Sequence, residues 1–178
     1  MVRRVVAGHA DGRAVFLADG GPAQTQIFRT MPGTQTSYLW ATGPGAEVSR
    51  NDEAEGYTAD LASIPPLAAT RFLYLQLAPD SVATSGDFDP AAAAEELARL
   101  DPEMFAVMES DHPGMHRTDS IDYVIVLDGE VCLELDNQQE RLLRPHDVVI
   151  QQGTRHAWRN KTDRPVLLGV VMIGARRI

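Results

Sequence analysis

The residues best suited to chemistry are two histidines and an aspartate in the second half of the chain. His116 and Asp122 lie six residues apart with Thr118 between them at an even spacing, so on one β-strand all three side chains point to the same face. Later in the same region, His156 shares a face with Trp158. A fold that joins these two faces would place two imidazoles and one carboxylate in one pocket, a donor set that suits a divalent metal with open coordination positions.

These residues lie in a region, 112–160, whose pattern is that of short antiparallel strands. Residues 121–135 are rich in alternating β-branched residues around a Leu-Asp-Gly-Glu turn, which predicts two tightly joined strands. A turn at 136–139 separates them from two further short strands, 141–143 and 148–150. Four short strands at nearly even spacing predict an antiparallel barrel or jelly roll.

At these positions the chain resembles the cupin family in the spacing of its first motif. That motif runs G-x5-H-x-H-x3-E-x6-G, and from its first histidine onward the spacing is matched by His116, Thr118, Asp122 and Gly129. Thr118 stands in place of the second histidine and Asp122 in place of the glutamate, while the leading glycine falls at Ser110. The first motif therefore keeps the family spacing with an altered set of metal-binding side chains.

The second cupin motif ends P-x-G-x2-H-x3-N, and its spacing is matched by Gln151, Gly153, His156 and Asn160, with Gln151 in place of the proline. The segment His-Arg-Thr-Asp-Ser-Ile-Asp-Tyr at 116–123 also resembles a subgroup of small single-domain cupins that are common beside secondary-metabolism enzymes. The resemblance implies an all-β fold, the cupin double-stranded β-helix or jelly-roll barrel.

A single cupin domain is expected over residues 1–178, with an N-terminal hairpin and arm at 1–70 and the motif core at 112–173. A short helical segment is expected at 89–108, because Asp89 and Asp101 can each cap a helix that begins at a proline. This segment either packs outside the sheet or covers the barrel mouth as a lid. The apolar run 166–173 predicts a strand buried on both faces.

Carried over by position, the resemblance makes His116, Asp122 and His156 the ligands of one divalent metal, with Fe, Mn, Ni, Co and Zn all open. His156, Asp122 and Thr118 are then the candidate catalytic residues. In the alternative, the same three residues form a metal-free cluster that hydrogen-bonds or moves protons.

Five further residues are candidates for binding the substrate. The strand pattern of 71–77 puts Tyr74 and Gln76 on one face, and Arg71 is the cation that could meet a substrate carboxylate. Trp158 could stack on a flat substrate, and Trp40, paired by alternation with Tyr38, could line a pocket, a packed core or a dimer interface.

The resemblance and the donor set together predict a metal-assisted enzyme, of the lyase or isomerase type, that acts on a small carboxylic or polyketide-like metabolite. A non-haem Fe(II) oxygenase at the same triad is the enzymatic alternative. A barrel that binds a small ligand without turning it over is the alternative from another class.

Composition excludes several kinds of partner. The chain has 178 residues, 44% of them hydrophobic, and a formal net charge of −9, which argues against nucleic-acid binding. It has no apolar run of membrane-spanning length, and its single cysteine, Cys132, excludes an internal disulfide framework. A cytoplasmic protein is expected. A homodimer that pairs through exposed strand edges is also expected, with the N-terminal hairpin as its main contributor.

Overall fold

A computed structural model describes residues 2–58 and 61–178 of the chain. Strands dominate, and three short helices lie between the fifth and sixth strands. The strands are β1 (Arg4–Ala10), β2 (Arg13–Gly20), β3 (Gln24–Ile27), β4 (Gln35–Thr42), β5 (Thr70–Leu77), β6 (Ser120–Asp128), β7 (Val131–Glu134), β8 (Glu140–Leu143), β9 (Val148–Gln152), β10 (Ala157–Arg159) and β11 (Val166–Gly174); the helices are α1 (Asp80–Ala83), α2 (Pro90–Leu100) and α3 (Pro102–Val107).

The strands form a jelly-roll barrel, as the sequence predicts. A six-stranded antiparallel sheet has the order β3-β4-β5-β11-β6-β9, and a three-stranded sheet has the order β10-β7-β8. Alternate residues of the larger sheet point inward and pack with Val131 of the smaller sheet into one hydrophobic core. The N-terminal hairpin, β1 and β2, is a separate two-stranded unit.

The register of the strands arranges the inward-pointing side chains of the larger sheet in rows, and two neighbouring rows matter here. One row is apolar and contains Tyr38, Leu73, Val170, Val124 and Val149. The next row towards the barrel mouth is mixed and contains Ala41, Arg71, Met172, Asp122 and Gln151. The apolar row closes the core, and the second row therefore brings polar side chains to the mouth.

A bulge in β4 changes which residues share a face. Tyr38 pairs with Leu73 and Trp40 pairs with Phe72, so Leu39 is an extra residue between them. Tyr38 points into the core, where it stacks on Tyr57 at a ring-centroid distance of 4.3 Å. Trp40 points to the outer face, and the predicted pairing of Tyr38 with Trp40 on one face is wrong.

Both helix caps that the sequence indicates are present. The Asp89 side chain accepts hydrogen bonds from two backbone amides of the first turn of α2, and the Asp101 carboxylate accepts one from Met104 N of α3. Asp101 also accepts from Ser63 Oγ at 2.6 Å. The second cap therefore ties α3 to the segment 61–69 that precedes β5.

That segment lies across the mouth end of the larger sheet. Ala68 N donates to Gly174 O and Gly174 N donates to Ala69 O, both at 2.9 Å. Gly174 is required here because a β-carbon would overlap the carbonyl of Pro66. Ile64 N donates to Glu103 of α3 at 3.1 Å. The segment 61–69 is thus held by both the larger sheet and α3, and we refer to it below as the arm.

The burial of β11 differs from the prediction on the outer face of the sheet. Its inward side chains are fully buried, but Leu167, Val171 and Ile173 on the outer face are only partly buried. The prediction that this strand is buried on both faces is therefore wrong for the isolated chain.

None of the helices in the described part of the chain has the length and apolar character needed to span a bilayer.

Candidate metal and substrate site

The site is built on a direct contact between the two motif histidines. His116 N donates to His156 O and His156 N donates to His116 O, each at 3.0 Å, which joins the two motifs by an isolated antiparallel bridge. The two imidazole rings lie with centroids 4.3 Å apart and their planes inclined at 53°. Residues 40 positions apart in sequence therefore meet as a pair.

Both imidazoles are held in the same tautomer. His116 Nδ1 lies 3.0 Å from Gly114 O, and His156 Nδ1 lies 3.0 Å from Thr154 O. A carbonyl oxygen only accepts hydrogen bonds, so each Nδ1 must carry the proton and each Nε2 must keep its lone pair. A backbone partner of this kind is typical of histidines that bind a metal through the other nitrogen.

The environment keeps this pair uncharged. Burial lowers the pKa of His156 to about 4, and the neighbouring His116 lowers it further in the same direction. Burial also lowers the pKa of His116, against a smaller opposing effect of its hydrogen bond to Gly114. Neutral imidazoles are the form that binds a divalent cation or accepts a proton.

Asp122 brings a buried carboxylate to the same end of the barrel. Only 6% of the residue is exposed, and burial raises its pKa to about 6, against an opposing hydrogen bond from Ser120. Asp122 Oδ1 is buried and has no hydrogen-bond partner in the described structure. A buried carboxylate oxygen without a partner is chemically suited to bind a divalent metal together with imidazole nitrogens.

The three predicted ligands are not fully assembled around one point. Among residues 2–58 and 61–178, the cluster whose ligand atoms all lie within 4.8 Å of one another is Glu109, Asp111 and His112, and the predicted triad does not meet that distance. The two histidines are in contact, with ring centroids 4.3 Å apart. Asp122 completes the set only if its carboxylate moves closer to them.

The cluster that does converge is less suited to binding a metal. Both carboxylate oxygens of Glu109 accept hydrogen bonds from Arg155 at 2.6 Å, and this interaction lowers the pKa of Glu109. Arg155 also pairs with Asp136 at 3.0 Å. The cluster is therefore part of an ion-pair network that fixes the segment beside His156.

Thr118 and Trp158 lie near the predicted centre. Thr118 is buried, and its Oγ1 lies 2.9 Å from Ser120 Oγ on the same strand face as Asp122. The Trp158 ring meets the His156 ring edge to face at a centroid distance of 5.9 Å. Thr118 is thus linked to the strand of Asp122, and Trp158 is in contact with His156.

The other predicted substrate contacts divide between the two faces of the sheet. Arg71 points inward in the same row as Asp122, with β11 between their two strands, and it donates to Ala62 O at 2.6 Å and Thr70 O at 2.8 Å. The three remaining candidates lie on the outer face, away from the histidines: Trp40, Tyr74 and Gln76. The structure does not bring those three into the site.

Gln151 is a site residue that the sequence pattern alone did not identify. It is 3% exposed and is the strand partner of Asp122, and its Nε2 is buried without a hydrogen-bond partner. Thr154 Oγ1 donates to Gln151 Oε1 at 2.5 Å, which orients the amide. The available signal was a polar residue at an inward position of an otherwise apolar strand.

No family model matches the chain. Local similarity is found to the phomopsin biosynthesis cluster protein C' of Diaporthe leptostromiformis, which is 56% identical over 48 residues, or 27% of this chain and 25% of that protein. The match thus spans about a quarter of the relative's length. The cupin-domain-containing oxidoreductase srdB of Neurospora crassa is 28% identical over 141 residues, covering 74% of this chain and 70% of that protein.

Among solved structures, a cupin-2 domain from Rhodospirillum rubrum covers 87% of this chain and 72% of its own, with 12% identity and a TM-score of 0.45. Both motif spacings lie at one end of a jelly-roll barrel, where their histidines meet, and cupin-domain proteins are among the relatives of the chain. The jelly-roll fold, the two motif spacings and these relatives support a small cupin domain.

Proposed function

We propose that this chain is a metal-assisted enzyme of secondary metabolism, of the lyase or isomerase type, acting on a small carboxylic or polyketide-like molecule. The observation that carries the proposal is the contact between His116 and His156, whose Nδ1 atoms are both tied to carbonyls and whose Nε2 atoms are both free. Two imidazole nitrogens also suit a divalent transition-metal ion, because imidazole binds Fe, Ni, Co, Zn and Mn.

In this proposal His116 and His156 hold the metal, and Asp122 is the third ligand or the base. A divalent metal at this position supplies Lewis-acid polarisation of a substrate carbonyl or carboxylate. The backbone bonds from Nδ1 orient the two rings before the substrate arrives, so no ordering of these side chains is needed during the reaction.

Asp122 is suited to proton transfer when it is not bound to metal. Its pKa of about 6 lies close to neutral, where a carboxylate is largely ionised yet basic enough to accept a proton from carbon or oxygen. Oδ1 is the atom that would take this proton, because it has no partner in the described structure. Thr118, beside Ser120, adds a hydroxyl to the same face.

Arg71 and Trp158 are the residues proposed to contact the substrate away from the reacting atoms. Arg71 is a buried cation on the inner face, two strands from Asp122, which corresponds to roughly 10 Å between the backbones. A substrate carboxylate near Arg71 would place the rest of a small molecule near the histidines. Trp158 offers an aromatic surface beside His156.

An iron-dependent oxygenase is the second candidate. Several relatives carry the name cupin-domain-containing oxidoreductase, among them virC of Hypocrea virens, which is 43% identical over 58 residues, 33% of this chain and 30% of that protein. Two imidazoles and a carboxylate with open positions are also the donor set of non-haem Fe(II) oxygenases. A metal-free binding barrel is the outcome if no metal is taken up.

Metal uptake is the first test. The purified chain is loaded separately with Fe(II), Mn, Co, Ni and Zn, desalted, and assayed by elemental analysis. We expect one equivalent in the wild type, loss in His156→Ala and retention in His112→Ala. His112 is the matched control because it belongs to the other histidine-containing cluster. Absence of bound metal from every loading would contradict the proposal.

The reaction type is tested with a metabolite extract of the source organism. Wild type and His156→Ala are incubated with the extract in normal and isotopically labelled dioxygen, and the products are compared by mass spectrometry. Loss of carbon dioxide or water, or an isomer of unchanged mass, supports a lyase or isomerase. Incorporation of labelled oxygen supports the oxygenase instead.

A further inference from the structure

His116 lies at the end of a short loop that is closed by backbone hydrogen bonds. Glu109 N donates to Met115 O at 2.9 Å, and the loop ends where His116 pairs with His156 in the isolated bridge. In the following we term residues 109–116 the histidine loop. The conformation of this loop decides where the backbone carbonyl that orients the His116 ring lies.

Arg159 on β10 attaches the histidine loop to the smaller sheet. Its Nη1 donates to Pro113 O at 2.7 Å, and its Nε donates to Glu134 of β7 at 2.6 Å. The side chains of Arg159 and Glu134 are only 25% and 16% exposed, so this ion pair is partly shielded from water. A guanidinium donates in fixed directions, and its two partners therefore fix the position of the Pro113 carbonyl.

The carbonyl that Arg159 holds is next to the carbonyl that orients His116. Gly114 O lies 3.0 Å from His116 Nδ1, and Pro113 O belongs to the preceding peptide group. Gly114 has a φ of +81°, which glycine adopts without strain, and a β-carbon there would lie 3.2 Å from Arg159 Nη1. Because glycine has the widest backbone freedom of all residues, the direction of its carbonyl depends on contacts made by its neighbours.

The second imidazole offers a comparison within the same protein. His156 Nδ1 also donates to the carbonyl two residues before it, Thr154 O, at 3.0 Å. Thr154 has a β-branched side chain in place of glycine, and its hydroxyl donates to Gln151 Oε1. The backbone at Thr154 is thus restricted by its own side chain, whereas that at Gly114 is restricted by Arg159.

We infer that Arg159 is a positioning residue for the metal site. By holding Pro113 O it fixes the next carbonyl, which keeps the proton of His116 on Nδ1 and leaves Nε2 free for a metal. Without this constraint the Gly114 carbonyl changes direction, and the neutral imidazole exchanges between its two tautomers. The tautomer that carries its proton on Nε2 does not bind a metal through that atom. The effect on metal binding rests on the proposed function, whereas the effect on the tautomer does not.

Nitrogen NMR of the metal-free protein at slightly alkaline pH tests the effect on the tautomer, because the ring-nitrogen resonances distinguish the two forms. In the wild type both rings are expected to carry the proton on Nδ1. Arg159→Met removes both donors and is expected to give a mixture of tautomers at His116, with His156 unchanged. Arg164→Met, which removes an arginine paired with Asp128 at 3.4 Å, is the matched control and is expected to change neither ring.

Competition with a zinc chelator tests the effect on metal binding. Arg159→Met is expected to weaken zinc binding about tenfold or more, as is typical for groups that orient a metal-binding histidine, and Arg164→Met is expected to leave it unchanged. Circular dichroism establishes that each variant is folded. If Arg159→Met does not fold, Arg159→Lys replaces it with the same expected changes, since an ammonium keeps the charge but lacks the fixed donor directions of a guanidinium.

An unchanged His116 tautomer in the folded Arg159 variant overturns the inference, even if zinc binding weakens, because Arg159 then acts through charge or stability alone. A tautomer change without weaker zinc binding overturns the role of Arg159 at the metal. If the wild type takes up no zinc or other metal, the proposed function fails. The His116 tautomer in the metal-free variants then decides by itself whether Arg159 positions the ring.

Discussion

Asp122 and Gln151 face each other on β6 and β9, and each leaves one buried side-chain atom without a hydrogen-bond partner in the described structure. The unpartnered atoms are complementary, because Asp122 Oδ1 accepts and Gln151 Nε2 donates. Thr154 already occupies Gln151 Oε1, so the amide nitrogen is the end that is left over. A buried polar group without a partner costs about 1–3 kcal/mol, which makes this pair a natural position for a bound polar group.

Asp122→Asn is expected to stabilise the metal-free protein at neutral pH by up to about 3 kcal/mol. The pKa of Asp122 is raised from 3.8 to about 6, so the stability that its proton confers is present below 3.8 and is lost as the pH rises through about 6. Urea denaturation from acid to neutral pH measures the effect. Asp119→Asn, at a neighbouring exposed position, is the control, and an equal gain there would contradict the assignment.

Gln151→Met is expected to destabilise the metal-free protein by only about 1 kcal/mol, because it removes the hydrogen bond that Oε1 accepts from Thr154, whereas Nε2 has no partner in the described structure. Methionine keeps the length and volume of the side chain. A loss of several kcal/mol in urea denaturation would mean that Nε2 is hydrogen-bonded in solution. Thr154→Val, which frees the amide to rotate, distinguishes loss of orientation from loss of the donor.

His156→Gln is expected to abolish the part of the acid-induced loss of folding stability that comes from protonation of His156. The pKa of His156 is lowered from 6.5 to about 4, so its favourable contribution is present above 6.5 and is lost as the pH falls through about 4. The full change is about 3 kcal/mol. Since Asp122 acts in the opposite direction over part of this range, the measurement is made in the Asp122→Asn background. A pH profile unchanged by His156→Gln would show that His156 is not buried as a neutral ring.

Two substitutions of Thr118 test the altered first motif. Thr118→Ala is expected to retain metal, because a neutral hydroxyl is a poor ligand beside two imidazoles. Thr118→His is expected to tighten metal binding by at least the roughly tenfold that a supporting residue contributes. Competition with a zinc chelator measures both affinities. Loss of metal in Thr118→Ala would instead make the hydroxyl a ligand.

Gly174→Ala is expected to destabilise the fold by about 2 kcal/mol, because the added methyl group overlaps the carbonyl of Pro66 and displaces the arm. Limited proteolysis should then cleave within 61–69 earlier than in the wild type. Gly21→Ala is the control, since nothing lies within 4 Å of a β-carbon at that position. Equal proteolysis of the two variants would mean that the arm is not held by this contact.

Local sequence patterns were sufficient to predict the secondary-structure elements of the motif region and the chemical character of the site. Alternating β-branched residues predicted the strands of the motif region, and the side chains of Asp89 and Asp101 predicted where two helices begin. The spacing of His116 and His156 within two motifs predicted a barrel in which they meet. Each of these signals depends on residues close together in the chain, or on spacings kept within one motif.

Only the tertiary structure decided which side chains share the site. One extra residue at Leu39 turns Trp40 to the outer face, and a single-residue bulge of this kind leaves no sign in an alternating pattern. The meeting of Asp122 with Gln151, and the row that adds Arg71, depend on register between strands distant in sequence. Register is set by the packing of the whole barrel, and no local pattern encodes it, because a one-residue shift exchanges the two faces of a strand.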